Sequence, residues 1–354
     1  LPHGGTLVDC LFGSGLTRPL GEDLFGILTD LSRTHARRVA VDLPSGVESD
    51  SGQALNEGLP HYDLTVALGA WKFAHWTMPA AGGMGRRYLV PIGVGDVTGA
   101  ARVLRRPQLH APAPNAHKYS RGLVAVVSGA MPGAALLACR AAMHGGAGYV
   151  RLAAAGSPAD TPADLVVDAN AAVDPRLSAL LVGSGLGRDA MAAAKLRECL
   201  AHDVPTVLDA DALMLLEPAM LSGRTAPLIV TPHEGELAQL ARTFGIEVGG
   251  KRAIAERLSR SFGLVVIAKG PDTVIAGPDG RISIARPASS WLSTAGTGDV
   301  LAGLVLSRLG VGIDPFDAAS QAVWLHGEAA ARAGASFTSG ELITYISDAY
   351  ESCL

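Results

Sequence analysis

The sequence predicts an α/β protein of two domains, each built on a mostly parallel sheet with helices on its faces. Three observations carry this. The chain has 354 residues, and single cores usually stop growing near roughly 250–300. Short apolar runs alternate with stretches of helical period, the pattern of strand–helix–strand units. Between two such series lies Gly93–Asn115, rich in Pro and Arg and without sustained periodicity, which reads as a domain junction. The domains are expected at 1–100 and 101–354. With 48% hydrophobic and 18% charged residues the chain is globular, not disordered.

In the first domain, Thr6–Phe12, Arg38–Leu43, Asp63–Leu68 and Tyr88–Ile92 read as strands, and Glu22–Arg33 as a helix. Ligands of parallel sheets bind beyond the carboxyl ends of the strands. That places Gly13-Ser14-Gly15-Leu16-Thr17-Arg18-Pro19 and Asp42–Gly46 at a candidate site. The first of these is like a phosphate loop but lacks the third glycine of G-x-G-x-x-G, where Arg18 stands. Asp9 and Asp42 lie in or at the end of apolar strands. An acid there needs a hydrogen bond, a charge partner or a cation, unless it caps a turn.

In the second domain, strands are expected at Leu123–Val127, Tyr149–Ala153, Ala179–Val182, Pro205–Leu208, Pro227–Val230 and Leu264–Ala268. Val274–Ile275 and Ile282–Ala285 read as a hairpin. Helices are expected at Ala134–Gly145, Ala190–Ala201, Glu236–Phe244 and Lys251–Ser261, and from Thr297 and Asp314. Polar, Gly-rich segments end successive strands: Ser128–Gly133, Gly183–Gly187, Asp209–Asp211, Thr231–Glu236 and Lys269–Thr273. Their convergence on one rim favours a site.

Thr294–Gly303 joins Gly296, Thr297 and Gly298 to Asp299 at the start of an apolar helix. It reads either as a glycine-rich turn with Thr297 as N-cap, or as an anion hole of backbone N–H groups at a helix N-terminus. In the second case Asp299 stands at the rim to take a proton from an attacking hydroxyl, with the low pKa expected beside a helix dipole. Phosphoryl transfer suits such a site, because positioning and charge stabilisation do most of the work. His233 reads as an exposed loop residue or a substrate contact, and Asp209 and Asp211 as helix caps or as Mg²⁺ ligands through water.

Other classes are excluded by what is missing. There is no G-x-x-x-x-G-K-[ST], no G-x-S-x-G and no H-E-x-x-H. A net charge of −4 with no basic run argues against nucleic acid and against an anionic membrane surface. No apolar run reaches the ~18–20 residues of a bilayer span. Cys10, Cys139, Cys199 and Cys353 are far apart, as expected for reduced thiols of a cytoplasmic protein. The chain opens at Leu1, not Met, and is read as a fragment or processed form.

The motifs HKYSRG (His117–Gly122), PGAALLACRAAMHGGAGYV (Pro132–Val150), GSGLG (Gly183–Gly187), LDADAL (Leu208–Leu213), TPHEGE (Thr231–Glu236), KGPDT (Lys269–Thr273) and TAGTGDVLAGL (Thr294–Leu304) resemble the ribokinase-like superfamily. Within it they resemble the ADP-dependent NAD(P)H-hydrate dehydratases, in the family's order from about Arg105 to the C-terminus. DCLFGSGLTRPL (Asp9–Leu20), VAVDLPSGVESDSG (Val39–Gly52) and LTVALGAWKFAH (Leu64–His75) resemble the later part of a Rossmann-like NAD(P)H-hydrate epimerase domain. The earlier Asn-Asn-Gly-Gly-Asp loop of that family is absent, which weighs against epimerase activity. Ser128–Gly133 is shorter than the family's loop.

The resemblance implies repair of a nicotinamide cofactor hydrated at C6, NADHX or NADPHX. ADP (or ATP) with Mg²⁺ phosphorylates the hydroxyl, and loss of phosphate restores the ring. It implies Asp299 as base, Gly296–Gly298 as anion hole, and Lys269, Gly270, Pro271, Asp272, Thr273 and Gly298 as adenine-nucleotide contacts. The hydrate falls to Ala134, Gly187, His233 and Asp299. In the first domain, Gly13, Ser14, Gly15, Leu16, Thr17, Arg18, Pro19 and Asp42 contact substrate, and Asp9 and Ser45 hold K⁺. A homo-oligomer is also implied. The alternatives are a ribokinase-like kinase of a small alcohol, such as a hydroxymethylpyrimidine or hydroxyethylthiazole, and a non-catalytic nucleotide-binding regulator.

Overall fold

A computed structural model describes residues 4–95 and 97–354; Leu1, on which the fragment reading rests, lies outside them. The chain divides into two compact units, Leu1–Ala100 and Ala101–Leu354.

The first unit holds β1 (Thr6–Asp9), α1 (Glu22–Thr34), β2 (Arg37–Val41), β3 (Leu64–Leu68) and β4 (Arg86–Val90). The strands form one parallel sheet in the order β1-β2-β3-β4. β1 stops at Asp9, short of the expected Phe12. The Asp9 carboxylate accepts from the N–H of Leu11 and of Ser45, which draws the chain out of the ladder. Leu43, Val47, Ala74 and Met84 form a small buried cluster.

The second unit runs β5 (Arg102–Val103), β6 (Leu123–Val127), α2 (Pro132–His144), β7 (Tyr149–Ala153), β8 (Val166–Val167), β9 (Ala179–Val182) and α3 (Ala190–Ala201). β10 (Thr206–Leu208), α4 (Asp211–Leu215), β11 (Leu228–Val230), α5 (Glu234–Thr243), α6 (Lys251–Phe262) and β12 (Val265–Ala268) follow. The chain finishes with β13 (Val274–Ala276), β14 (Ile282–Ile284), α7 (Thr297–Gly310), α8 (Pro315–Ala333), α9 (Ser339–Thr344) and α10 (Ile346–Glu351). Ten strands make one sheet, ordered β5-β14-β13-β12-β11-β10-β9-β6-β7-β8. From β12 to β8 all neighbours are parallel, and β13 and β14 add the antiparallel hairpin. Part of the expected junction belongs to this sheet, because Arg102–Val103 pairs with β14.

β6, β9, β10, β11 and β12 are neighbours with a common direction, so the loops that leave their carboxyl ends form one rim. α7 starts at that rim and is buried along nearly its whole length. Its middle turns are apolar on every side, as expected inside a core, and the buried Ser307 and Arg308 near its end bond the Gly145 carbonyl, Gln321 and Tyr350. α2 packs against it so closely that a Cβ on Gly303 would lie 2.2 Å from the Ala138 carbonyl oxygen. Glycine is the residue that this crossing admits.

Candidate active site

The tip of α7 is set by backbone geometry. Gly296 is the N-cap, with φ 89°, and no side chain caps the helix. Thr297 is therefore not the N-cap, and that reading is corrected. Its hydroxyl turns back to donate to the carbonyls of Leu292 and Thr294, both at 2.8 Å. The Thr297 N–H donates to the Thr294 carbonyl at 3.4 Å, and the N–H groups of Gly298 and Asp299 are left without intrahelical partners at the positive end of the dipole.

Lys269, after β12, stands against this tip. Its Nζ would be 3.4 Å from a Cβ on Gly298, and it donates to Asp209 Oδ1 at 2.8 Å. The same oxygen accepts from Thr231 Oγ1 at 2.6 Å. Burial alone would lower the Lys269 pKa, but the charges of Asp209, Glu236 and Asp299 raise it above the ordinary value. One buried ammonium thus faces three acids.

Asp299 does not have the depressed pKa that its position on a helix predicts. Burial pushes it up to about 6, the nearby Asp209 charge adds to this, and Ser184 and Lys269 oppose it. Ser184 is fully buried, its hydroxyl makes no hydrogen bond among the described residues, and it stands near enough to Asp299 to favour the charged form. Glu236 is also raised by burial. It closes a capping box with His233, whose N–H donates to Glu236 Oε2 at 2.8 Å. His233 is exposed, and its Nδ1 accepts from the N–H groups of Gly235 and Glu236.

A cavity of about 680 Å³ opens at the rim, lined by Lys269, Gly270, Pro271, Thr273, Thr297 and Gly298 among others. That volume suits a small-molecule ligand. His233 and His326 also line it. His326 Nε2 lies 3.0 Å from the Thr297 carbonyl, and burial lowers its pKa to about 4. It is therefore a neutral ring that donates to the backbone of the helix tip. Asp272 does not line the cavity. It is buried and ion-paired with Lys251, the first residue of α6, which ties the Lys269–Thr273 loop to that helix.

Ala134 and Gly187 lie outside the cavity's lining, Ala134 at the start of α2 and Gly187 on the loop after β9. The loops after β6 and β9 are tied together by Met131 N–H donating to Gly185 O at 2.9 Å. Asp211 does not cap α4, whose N-cap is Ala210 without a side-chain bond. Its carboxylate accepts from Gly187 N–H at 2.9 Å and from Arg188 Nε at 2.6 Å. Asp209 is taken by Lys269 and Thr231, so neither acid stands free for a metal. Among the described residues no group of three or more His, Cys, Asp or Glu side chains assembles a metal site.

In the first unit, Asp42 adopts φ 66° and gathers donors. Ser14 N–H reaches Oδ2 at 3.3 Å, Leu68 N–H reaches Oδ1 at 3.2 Å, and Lys72 Nζ bonds Oδ1. Burial would raise its pKa, yet Lys72 and the two N–H groups hold it below the ordinary value. Gly13 and Ser14 thus meet Asp42, whereas Thr17, Arg18 and Pro19 are exposed on the loop beyond. Asp9 and Ser45 do meet, but not as an open cation site. Asp9 Oδ1 accepts from Ser45 Oγ at 2.6 Å and Leu11 N–H, and Oδ2 from Ser45 N–H at 2.9 Å and Tyr62 OH at 2.5 Å. Four donors fill the four lone-pair positions of the carboxylate. K⁺ does not fit that donor set.

Several of these residues were not singled out from sequence: Ser184, Glu236, Lys251, His326, Lys72 and Tyr62. For Glu236 a signal existed, since an acid three residues after a cap is the capping-box spacing. The others act through contacts distant in sequence.

Comparison with known proteins fits this geometry. The sequence pattern of the NAD(P)H-hydrate dehydratase family matches residues 124–351, well over half of the chain. The chain belongs to the NAD(P)H-hydrate dehydratase family. The pattern of the YjeF-related protein N-terminus matches residues 2–74. A bifunctional NAD(P)H-hydrate repair enzyme from Mycobacterium leprae is 36% identical over 348 residues, covering 94% of this chain and 70% of that protein. The chain spans about two thirds of the length of the curated relatives it matches. It is an NAD(P)H-hydrate dehydratase of metabolite repair, preceded by a partial epimerase domain.

Solved structures agree. The ADP/ATP-dependent NAD(P)H-hydrate dehydratase of Bacillus subtilis, co-crystallised with ATP and Mg²⁺, is 27% identical with a TM-score of 0.62, covering 72% of this chain and 99% of that one. A ribokinase-like superfamily protein from Enterococcus faecalis V583 has the same fold, with a TM-score of 0.59 at 22% identity over 72% of this chain and 98% of that one. Among the described residues no helix is long and apolar enough to cross a membrane. The four cysteines are free, Cys10 exposed and the others buried.

Proposed function

We propose that residues 101–354 dehydrate (6S)-NADHX and NADPHX to NADH and NADPH at the expense of ADP, which leaves as AMP and phosphate. The observation that carries this reading is the Asp299 carboxylate at the tip of α7, lifted to a pKa of about 6 beside a buried lysine. A base poised near the working pH takes the C6 hydroxyl proton as that oxygen attacks the terminal phosphorus of ADP. The O–P bond forms, the bond to AMP breaks, and the N–H groups at Gly296–Gly298 with Lys269 receive the developing charge. The ring nitrogen then pushes the phosphate off C6, and loss of the C5 proton restores the double bond. Lys269, Gly270, Pro271 and Thr273 serve the adenine nucleotide, with Asp272 acting through Lys251. Ala134, Gly187, His233 and Asp299 serve the hydrate.

Mg²⁺ commonly arrives with nucleotide phosphates and needs only one or two carboxylates from the protein. Three acids around one lysine leave negative charge to spare, so the chemistry of the donor set fits. Glu236 and Asp299 would hold it through water. When bound it neutralises phosphate charge.

Residues 1–100 are assigned to the epimerase portion, with Gly13–Pro19 and Asp42 facing substrate. No step is assigned to K⁺. The assembly is taken to be a homo-oligomer, to be read by sedimentation.

The test is incubation with NADHX or NADPHX, Mg²⁺ and either ADP or ATP while the absorbance of reduced nicotinamide is followed. Recovery of NADH with stoichiometric AMP is expected. A phosphorylated alcohol as the final product would mean a kinase instead, and nucleotide binding without turnover would mean a regulator. Consumption of the S epimer alone would show an inactive first domain.

A further inference from the structure

Arg188 follows Gly187 on the loop after β9, on the side assigned to the hydrate. Its Nε donates to Asp211 Oδ1 at 2.6 Å. Asp211 is 9% exposed and its other oxygen accepts from Gly187 N–H at 2.9 Å, whereas Arg188 is 60% exposed. One buried carboxylate therefore fastens both the backbone at Gly187 and the root of the guanidinium. Among the described residues the two terminal amino groups of Arg188 have no hydrogen-bond partner. Only the arginine side of this pair faces solvent, since Arg188 is 60% exposed while Asp211 is buried. What the arrangement achieves is orientation. An arginine gripped at Nε presents the remaining edge of its fork outwards, the geometry that takes two phosphate oxygens.

The charge balance calls for such a group. Asp209, Asp211, Glu236 and Asp299 crowd this rim, and Lys269 is committed to Asp209. A nicotinamide dinucleotide brings a diphosphate, and in the NADP series a 2′-phosphate as well. An anion of that kind needs donors at the rim that are still open, and Arg188, though paired to Asp211 through Nε, keeps its two terminal amino groups for it.

We propose that Arg188, oriented by Asp211, binds a phosphate group of the dinucleotide substrate. This rests on the assignment of the hydrated dinucleotide to the Ala134–Gly187 side. The experiment titrates NADPH and NADH, the products, against wild type, Arg188→Met and Arg188→Lys by nicotinamide fluorescence. Arg188→Met should weaken NADPH binding about five- to twentyfold, with Arg188→Lys between the two because it keeps charge but loses the fork. Weakening of both dinucleotides assigns Arg188 to the diphosphate, and of NADPH alone to the 2′-phosphate. In turnover, KM for the hydrate should rise by a similar factor while kcat stays within about twofold.

Unchanged affinity for both dinucleotides overturns the proposal, as does an equal loss of ADP affinity or a fall in kcat at constant KM. If wild type binds neither dinucleotide, the proposal also fails. Wild type that binds NADPH but never converts the hydrate defeats the dehydratase reading alone and leaves Arg188 to be judged by the titration.

Discussion

Each domain presents an aspartate at the carboxyl-end rim of a parallel sheet, and the two are opposites electrostatically. Asp42 in the first domain collects Lys72 and two backbone N–H groups, which overcome its burial and hold it ionised. Asp299 in the second is buried near Asp209, and its helix and its lysine do not offset that, so its pKa stands at about 6. The same side chain is held charged in one place and brought close to neutral pH in its titration in the other. Burial raises both; what separates them is the donors that reach Asp42 and the like charge of Asp209 that faces Asp299.

The largest expected effect tests that contrast at its sharper end. Asp299→Asn should lower kcat by about 10²–10⁴, with ADP affinity by calorimetry almost unchanged. The dead variant should also be more stable at neutral pH. A carboxyl whose pKa is raised on folding favours the native state only while protonated. Its contribution is present below the unfolded pKa near 4 and is lost as pH rises through about 6. A melting temperature of the second domain that falls on Asp299→Asn would contradict this.

Lys269→Met comes next. It leaves Asp209 buried without its cation, and about 3–5 kcal/mol of stability should go, read by urea denaturation, along with nucleotide binding. Asp42→Asn should act in the opposite sense to Asp299→Asn. It frees Lys72 and costs the first domain about 1–3 kcal/mol at neutral pH. Because the Asp42 pKa is depressed, the loss should fade as pH drops through the carboxylate range. A stabilised Asp42→Asn would break the comparison.

The smallest effect concerns Ser184. Activity should require ionised Asp299 and fall below about pH 6, and Ser184→Ala should move that limb upwards in pH, since the hydroxyl favours the charged form. A limb that stays in place would remove Ser184 from any part in setting the base.

The sequence made the strands of the second sheet legible where burial on both faces leaves unbroken apolar runs. Leu123–Val127, Tyr149–Ala153 and Ala179–Val182 form with the expected bounds. β5 and β8 were not legible, because two residues carry no period and their pairing is decided by partners such as Ser283 and Arg151. At the site, the loops were readable from glycines and hydroxyls, but the protonation of Asp299 was not. The local rule for a helix N-terminus points down, and the opposing charge sits on Asp209, ninety residues earlier. Likewise the motif around Asp9 conveyed a possible cation ligand, whereas the Tyr62 hydroxyl that fills its last position comes from another strand's approach.

α7 carries a practical consequence. Its first turn lies at the rim of the sheet, and the remaining turns run through the interior between α2, α8 and the sheet. A ligand that tightens on the tip cannot be felt locally alone, since that helix is lost only when the whole domain melts. Occupancy should therefore register as a shift of the domain's single melting transition, growing with ligand concentration relative to Kd. Candidate nucleotides and dinucleotides can then be ranked by calorimetric scanning before any turnover is detected.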